Sequence, residues 1–99
     1  MSLNVLTRGS GSPMLLLHGF TGTALAWSQQ LESWARDHRV IAPDLLGHGA
    51  SDAPADPAAY ALERQADSLA ELLDRLDASP ATVVGYSMGA RLALVLALE

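Results

Sequence analysis

Apolar positions in this chain alternate between the signature of a buried strand and the spacing of a helix. Met14-Leu15-Leu16-Leu17 is a continuous apolar run, as expected of a strand buried on both faces of a parallel sheet. Arg39-Val40-Ile41-Ala42, closed by Pro43, and residues 81–84 read as two more buried strands. Between them the period lengthens. Trp27, Leu31, Trp34 and His38 predict a helix over residues 24–37, with His38 at its end. Over residues 60–78, Leu62, Ala66, Leu69, Leu73 and Leu76 make one apolar stripe, while Glu63, Asp67, Glu71 and Arg75 face water. Ser79-Pro80 breaks that helix, and another is expected from Ser87 onward. Residues 3–7 predict a short edge strand, and residues 44–59 an irregular connection rich in Gly, Pro, Asp and Ala. Strands alternating with helices imply right-handed crossovers. The fold class is therefore α/β: a three-layer α/β/α arrangement around a mostly parallel sheet.

Composition narrows this picture. Ninety-nine residues allow one small domain. Aromatic residues are 5% of the chain, so the core must be built mainly from Leu, Val and Ala. The formal charge is −5, with no lysine and scattered arginines. No basic patch results, and nucleic acid is not an expected partner. With no cysteine, thiol chemistry and cysteine-ligated metals are excluded. The start, Met1-Ser2-Leu3-Asn4, lacks the basic and apolar regions of a signal peptide. The longest apolar run, residues 92–98, is too short to span a bilayer. A cytoplasmic location with no membrane partner is the expectation.

The chemistry concentrates at Gly85-Tyr86-Ser87-Met88-Gly89, which fits G-x-S-x-G. Such matches arise often by chance, so context decides. Here the pentapeptide follows a predicted strand and opens a predicted helix, Ala90-Arg91-Leu92-Ala93-Leu94, the setting a strained nucleophile turn requires. The helix N-terminus beneath Ser87 aims backbone N–H groups at developing negative charge, and Met88 supplies one expected oxyanion donor. The alternative is a serine capping an unremarkable helix. His18-Gly19-Phe20 comes directly after the second strand, where Phe20 would supply the other oxyanion N–H. His18 precedes Ser87, against the order nucleophile, acid, histidine, and is read as shaping the loop. Asp44 and His48, in Asp44-Leu45-Leu46-Gly47-His48-Gly49, have no third metal ligand in view. That segment is read as a tight loop in which Asp44 accepts from backbone donors. No cofactor or metal is expected.

These motifs together resemble the α/β-hydrolase superfamily over essentially the whole chain. His18-Gly19-Phe20-Thr21-Gly22, Pro43-Asp44-Leu45-Leu46-Gly47-His48-Gly49 and the stretch from Val84 to Leu94 are most similar to one family within it, the 2-succinyl-6-hydroxy-2,4-cyclohexadiene-1-carboxylate synthases of menaquinone biosynthesis. Tyr60-Ala61-Leu62-Glu63-Arg64 is similar to that family too. The resemblance implies a lyase that eliminates pyruvate from a cyclohexene substrate. It implies that Tyr86 lines the pocket, that Ser87 acts with a His–Asp pair, and that Arg91 holds a substrate carboxylate. A planar cation near the nucleophile suits a polyanionic substrate, though read by itself Arg91 is equally a solvated or ion-paired helix residue. Ala90 departs from the family, in which Gly is commoner there. A carboxylesterase or C–C bond hydrolase on the same fold is the rival reading, with a small carboxylate or ester as substrate.

The residues after Ser87 include neither Asp nor His, and their one acid is Glu99. His18, His38 and His48 all precede the serine. The expectation is an N-terminal portion of a single hydrolase domain, truncated after the nucleophile helix and inactive alone. A missing C-terminal part or a second chain would supply the Asp and His. A self-associating, non-enzymatic fragment remains the further alternative, since a helix apolar on both sides favours homo-oligomers.

Overall fold

The computed structural model describes residues 3–19, 22–49, 51, 53, 55, 57–78 and 81–98. The expected break at Ser79-Pro80 lies outside the described residues. Four strands form one mixed sheet: β1 (Val5–Arg8), β2 (Ser12–Leu17), β3 (His38–Pro43) and β4 (Thr82–Gly85), in the order β1-β3-β2-β4. β2 runs parallel to both β3 and β4, while β1 is antiparallel to β3 at the edge. Three helices complete it: α1 (Ser28–Trp34), α2 (Leu62–Arg75) and α3 (Met88–Leu98).

The unbroken apolar run of β2 has its expected cause. Successive side chains point to opposite faces, and both faces are covered. Leu15 and Leu17 join Ile41, Leu45, Ala66, Leu69, Leu73 and Leu92 on the α2/α3 side. Met14 and Leu16 join Val40, Ala42, Ala24 and Leu31 on the α1 side. The three-layer α/β/α expectation holds, with two of the three strand pairings parallel.

Several boundaries move, each for a local reason. The single helix expected over 24–37 is a 3-10 turn, Ala24–Trp27, followed by a shorter α-helix ending at Trp34. Thr23 caps the turn by accepting from the Leu25 N–H at 3.2 Å. His38 does not end a helix; it opens β3 opposite Ser12. The chain turns through residues 35–37, closed by the Asp37 N–H donating to the Trp34 carbonyl. The helix expected over 60–78 is α2, shorter at both ends, and a 3-10 turn, Pro57–Tyr60, precedes it in the connection expected to be irregular. It ends at Arg75 because Asp77 turns left-handed, at φ 51°, and the Ala78 N–H reaches back to the Leu73 carbonyl. β4 is half-buried rather than buried, and among the described residues β2 alone pairs with it.

Candidate active site

The sequence Gly85-Tyr86-Ser87-Met88-Gly89 forms a tight link between β4 and α3. The Tyr86 N–H donates to the Leu17 carbonyl at 3.1 Å, prolonging the β2–β4 pairing one step past the strand end. Ser87 then adopts φ 55°, a left-handed conformation that non-glycine side chains avoid. Immediately afterwards α3 begins, with Gly89 donating to the Tyr86 carbonyl and Ala90 and Arg91 donating to that of Ser87. The chain thus reverses from strand to helix within the motif, and Ser87 stands exposed at the apex.

Both motif glycines answer to close backbone approach. A Cβ on Gly89 would meet the Leu17 carbonyl oxygen, and one on Gly85 would meet that of Gly89. α3 can therefore start hard against the end of β2 only with glycine at both places. Gly19, on the loop after β2, faces the elbow from across the site: a Cβ there would lie 3.4 Å from the Ser87 Cβ.

His18 lies buried beneath that loop. Its Nε2 accepts from the Leu45 N–H at 2.9 Å. With that nitrogen an acceptor, the proton sits on Nδ1, which donates to the Gly19 carbonyl at 2.7 Å. Burial lowers its pKa below 6.5 and His48 pushes the same way, while the Gly19 bond and Asp44 oppose them. His18 is a neutral strut joining two loops, as the chain order of the residues suggests. The His48 ring lies 5.0 Å from it.

Asp44 is a second strut. Its buried carboxylate accepts from the Ala24 N–H at 2.7 Å and from Asn4 Nδ2 at 2.9 Å. Its carbonyl accepts from Ser51 Oγ, which in turn accepts from the Asn4 N–H. The loop after β3, the start of β1 and the 3-10 turn before α1 are thereby tied together. Among the described residues no three His, Asp or Glu side chains converge as a metal site.

Of the expected site residues, Ser87, Tyr86, Met88 and Arg91 sit together at the β4–α3 junction. Tyr86 is 71% exposed beside Ser87. Met88 opens α3, so its N–H belongs to the first helical turn. Arg91, one turn further on, is exposed. Phe20 lies outside the described residues. Trp27 and Gln30, which share a groove with Tyr86, were not evident as site residues. Trp27 reads as a core position of the helical stripe and Gln30 as an ordinary polar helix residue. The only signal was their spacing of three, which places them side by side on a helix.

Comparisons with known proteins agree with this geometry. The sequence pattern of the alpha/beta hydrolase fold matches residues 12–99. A Bacillus subtilis (strain 168) protein provisionally named 2-succinyl-6-hydroxy-2,4-cyclohexadiene-1-carboxylate synthase is 42% identical over 86% of this chain and 31% of its own length. An epoxide hydrolase of Caballeronia sordidicola is 41% identical over 91% of this chain and 28% of its own. A crystal structure from Nostoc sp. PCC 7120, described as an α/β hydrolase, superposes with a TM-score of 0.93 at 36% identity, over 97% of this chain and 34% of that one. The chain spans about a third of the length of these relatives.

Proposed function

This chain belongs to the α/β-hydrolase-fold family, and from that premise we propose that it carries the nucleophile half of an enzyme active site, with Ser87 as the reacting group. One observation carries the reading: the left-handed turn at Ser87, held between β4 and α3 by two glycines that tolerate no Cβ. Strain of this kind costs about 1–3 kcal/mol and persists where the surroundings over-determine it, chiefly at functional sites. A plain helix cap has no need of it, since a capping serine ordinarily sits in extended backbone.

In this reading the N–H groups of Met88 and Phe20 form the oxyanion hole. A histidine, oriented by an acid, takes the Ser87 proton, and both come from chain beyond this segment or from a second chain. Without them this segment alone is inactive. The parent enzyme acts on a small carboxylate or ester in the cytoplasm. Its specific activity is the lyase reaction forming 2-succinyl-6-hydroxy-2,4-cyclohexadiene-1-carboxylate with release of pyruvate. The base Ser87 abstracts a ring proton, the ring gains a double bond, and the enolpyruvyl oxygen leaves with the C–O bonding pair as the pyruvate enolate, whose methylene carbon takes up a proton to give pyruvate. Arg91 supports this version: its exposed guanidinium has no carboxylate partner among the described residues and is available to a substrate carboxylate. The B. subtilis relative supports it as well.

The second reading is a serine esterase or C–C bond hydrolase forming an acyl-enzyme at Ser87. The mostly apolar groove beside Tyr86 favours it. Pyruvate release and 4-nitrophenyl acetate hydrolysis by the complete enzyme separate the two. Lyase action predicts pyruvate release that Arg91→Ala weakens mainly through KM. Rapid ester turnover indifferent to Arg91→Ala would favour the hydrolase. Loss of neither activity in Ser87→Ala would overturn both.

A further inference from the structure

Beside the elbow lies a groove of about 260 Å³, lined by His18, Gly19, Ala26, Trp27, Gln30 and Tyr86. Its chemistry is uneven. The His18 ring nitrogens are both committed to backbone, so this side chain offers the groove only a flat wall. Gly19 and Ala26 bring no polar side-chain atom. Trp27 and Tyr86 contribute aromatic surface. Gln30 is half-buried, and its carboxamide has no hydrogen-bond partner among the described residues. A carboxamide lining a groove in this way is open to water or to a ligand.

We propose that Gln30 is a specificity-determining residue, hydrogen-bonding an oxygen of a flat, unsaturated ring ligand that lies against Trp27 and Tyr86 next to Ser87. The volume falls just below the roughly 300–1,000 Å³ of drug-sized ligand sites, which favours a single ring over a fused system. Aromatic walls prefer a flat unsaturated face, against which they stack, over a puckered saturated one. None of the lining side chains is acidic, so a cationic ligand finds no counter-charge. A carbonyl or carboxylate oxygen finds the Gln30 N–H₂ donors. The idea deepens the reading of Ser87 as the reacting group and rests on it for the groove's purpose. Binding, however, is measurable without turnover.

The test is an NMR titration of the 99-residue chain with benzoate, cyclohexanecarboxylate and benzylammonium as probes. Benzoate is expected to shift the Trp27 indole N–H and the Gln30 side-chain amide, and to leave the Trp34 indole, which does not line the groove, unmoved. Cyclohexanecarboxylate and benzylammonium should bind several-fold more weakly. Gln30→Leu should lower benzoate affinity about tenfold, the weight of one hydrogen bond, with the dispersion of the remaining spectrum preserved. Gln30→Asn should recover part of that loss. Benzoate that leaves Trp27 unmoved, or binds Gln30→Leu unchanged, would overturn the proposal. So would affinity lost in Arg91→Ala but retained in Gln30→Leu. Because the readout involves neither pyruvate release nor ester turnover, this proposal and the assignment of Ser87 can fail separately.

Discussion

At the scale of single residues, the turn between β4 and α3 trades stability for exposure of a serine. Ser87 at φ 55° carries a strain of about 1–2 kcal/mol that glycine would not feel. Glycine gives back about 0.5–1 kcal/mol through its freer unfolded chain. Ser87→Gly is therefore expected to stabilise the fold by up to about 1 kcal/mol, read as a higher midpoint in urea, while abolishing reaction with a fluorophosphonate in the complete enzyme. An unchanged or lower midpoint would mean that the turn stores no strain. Gly89→Ala should do the reverse, since its Cβ would press on the Leu17 carbonyl oxygen at the end of β2. Overpacking at backbone that cannot yield costs about 1–3 kcal/mol, and urea unfolding measures that too. His18 adds a pH dependence. Burial holds its folded pKa below 6.5, so the unfolded chain binds the proton more readily. Its contribution is complete above pH 6.5 and is lost as pH falls through the lower folded value. A thermal midpoint falling between pH 7.5 and 5, with a shallower fall in His18→Asn, is the expected result. Tyr86 and Arg91 were singled out only by the resemblance, whereas the strand-to-helix junction at Ser87 and Met88 was legible in the sequence because a five-residue motif marks it. Gln30 was not, because its groove forms only when α1 and the loop after β2 meet.

At the scale of elements, burial separates what holds the sheet from what merely solvates it. On α2, Ala66, Leu69, Leu72 and Leu73 are buried, whereas Glu63, Asp67, Glu71 and Arg75 are exposed. Leu69→Ala should cost about 2–4 kcal/mol, from lost transfer free energy and the cavity left behind. Glu71→Ala should stay within about 0.5 kcal/mol. A Leu69→Ala cost as small as that of Glu71→Ala would contradict the packing of α2 on β2 and β3. The period of the stripe made α2 legible, as the unbroken apolar run did β2. The ends were harder. α2 stops at a left-handed Asp77, and aspartate tolerates that conformation without announcing it in a pattern. The segment before α1 is a 3-10 turn in which the Ala26 N–H donates to the Thr23 carbonyl three residues back, while the Thr23 side chain and the Asp44 carboxylate accept from its first amides. Asp44 lies twenty residues away in sequence, and no local period records such a contact.

At the scale of the whole molecule, apolar surface and charge pull in opposite directions. Among the described residues β4 has one hydrogen-bonded neighbour in the sheet. Against it and α3 lies an open groove of about 530 Å³, lined by Ala81, Val83, Gly85, Ala90, Ala93, Leu94 and Ala97. Leu94 is 65% exposed there. An unpaired strand edge next to an apolar helix face is a template for association. Opposing it is a formal charge of −5, which makes the copies repel one another at neutral pH. Added salt screens that repulsion, with a Debye length of about 10 Å at 0.1 M falling to about 3 Å at 1 M. Lowering the pH toward the isoelectric point near 4.9 removes the charge itself. If the β4–α3 face drives assembly, light scattering should report species above 10.4 kDa whose share grows with salt and with falling pH. Leu94→Glu places a charge in the groove and should return the chain to its monomer mass under the same conditions. Association that Leu94→Glu leaves intact would locate the contact elsewhere. A monomer at every salt concentration and pH would show that this apolar face is too small to hold two copies together.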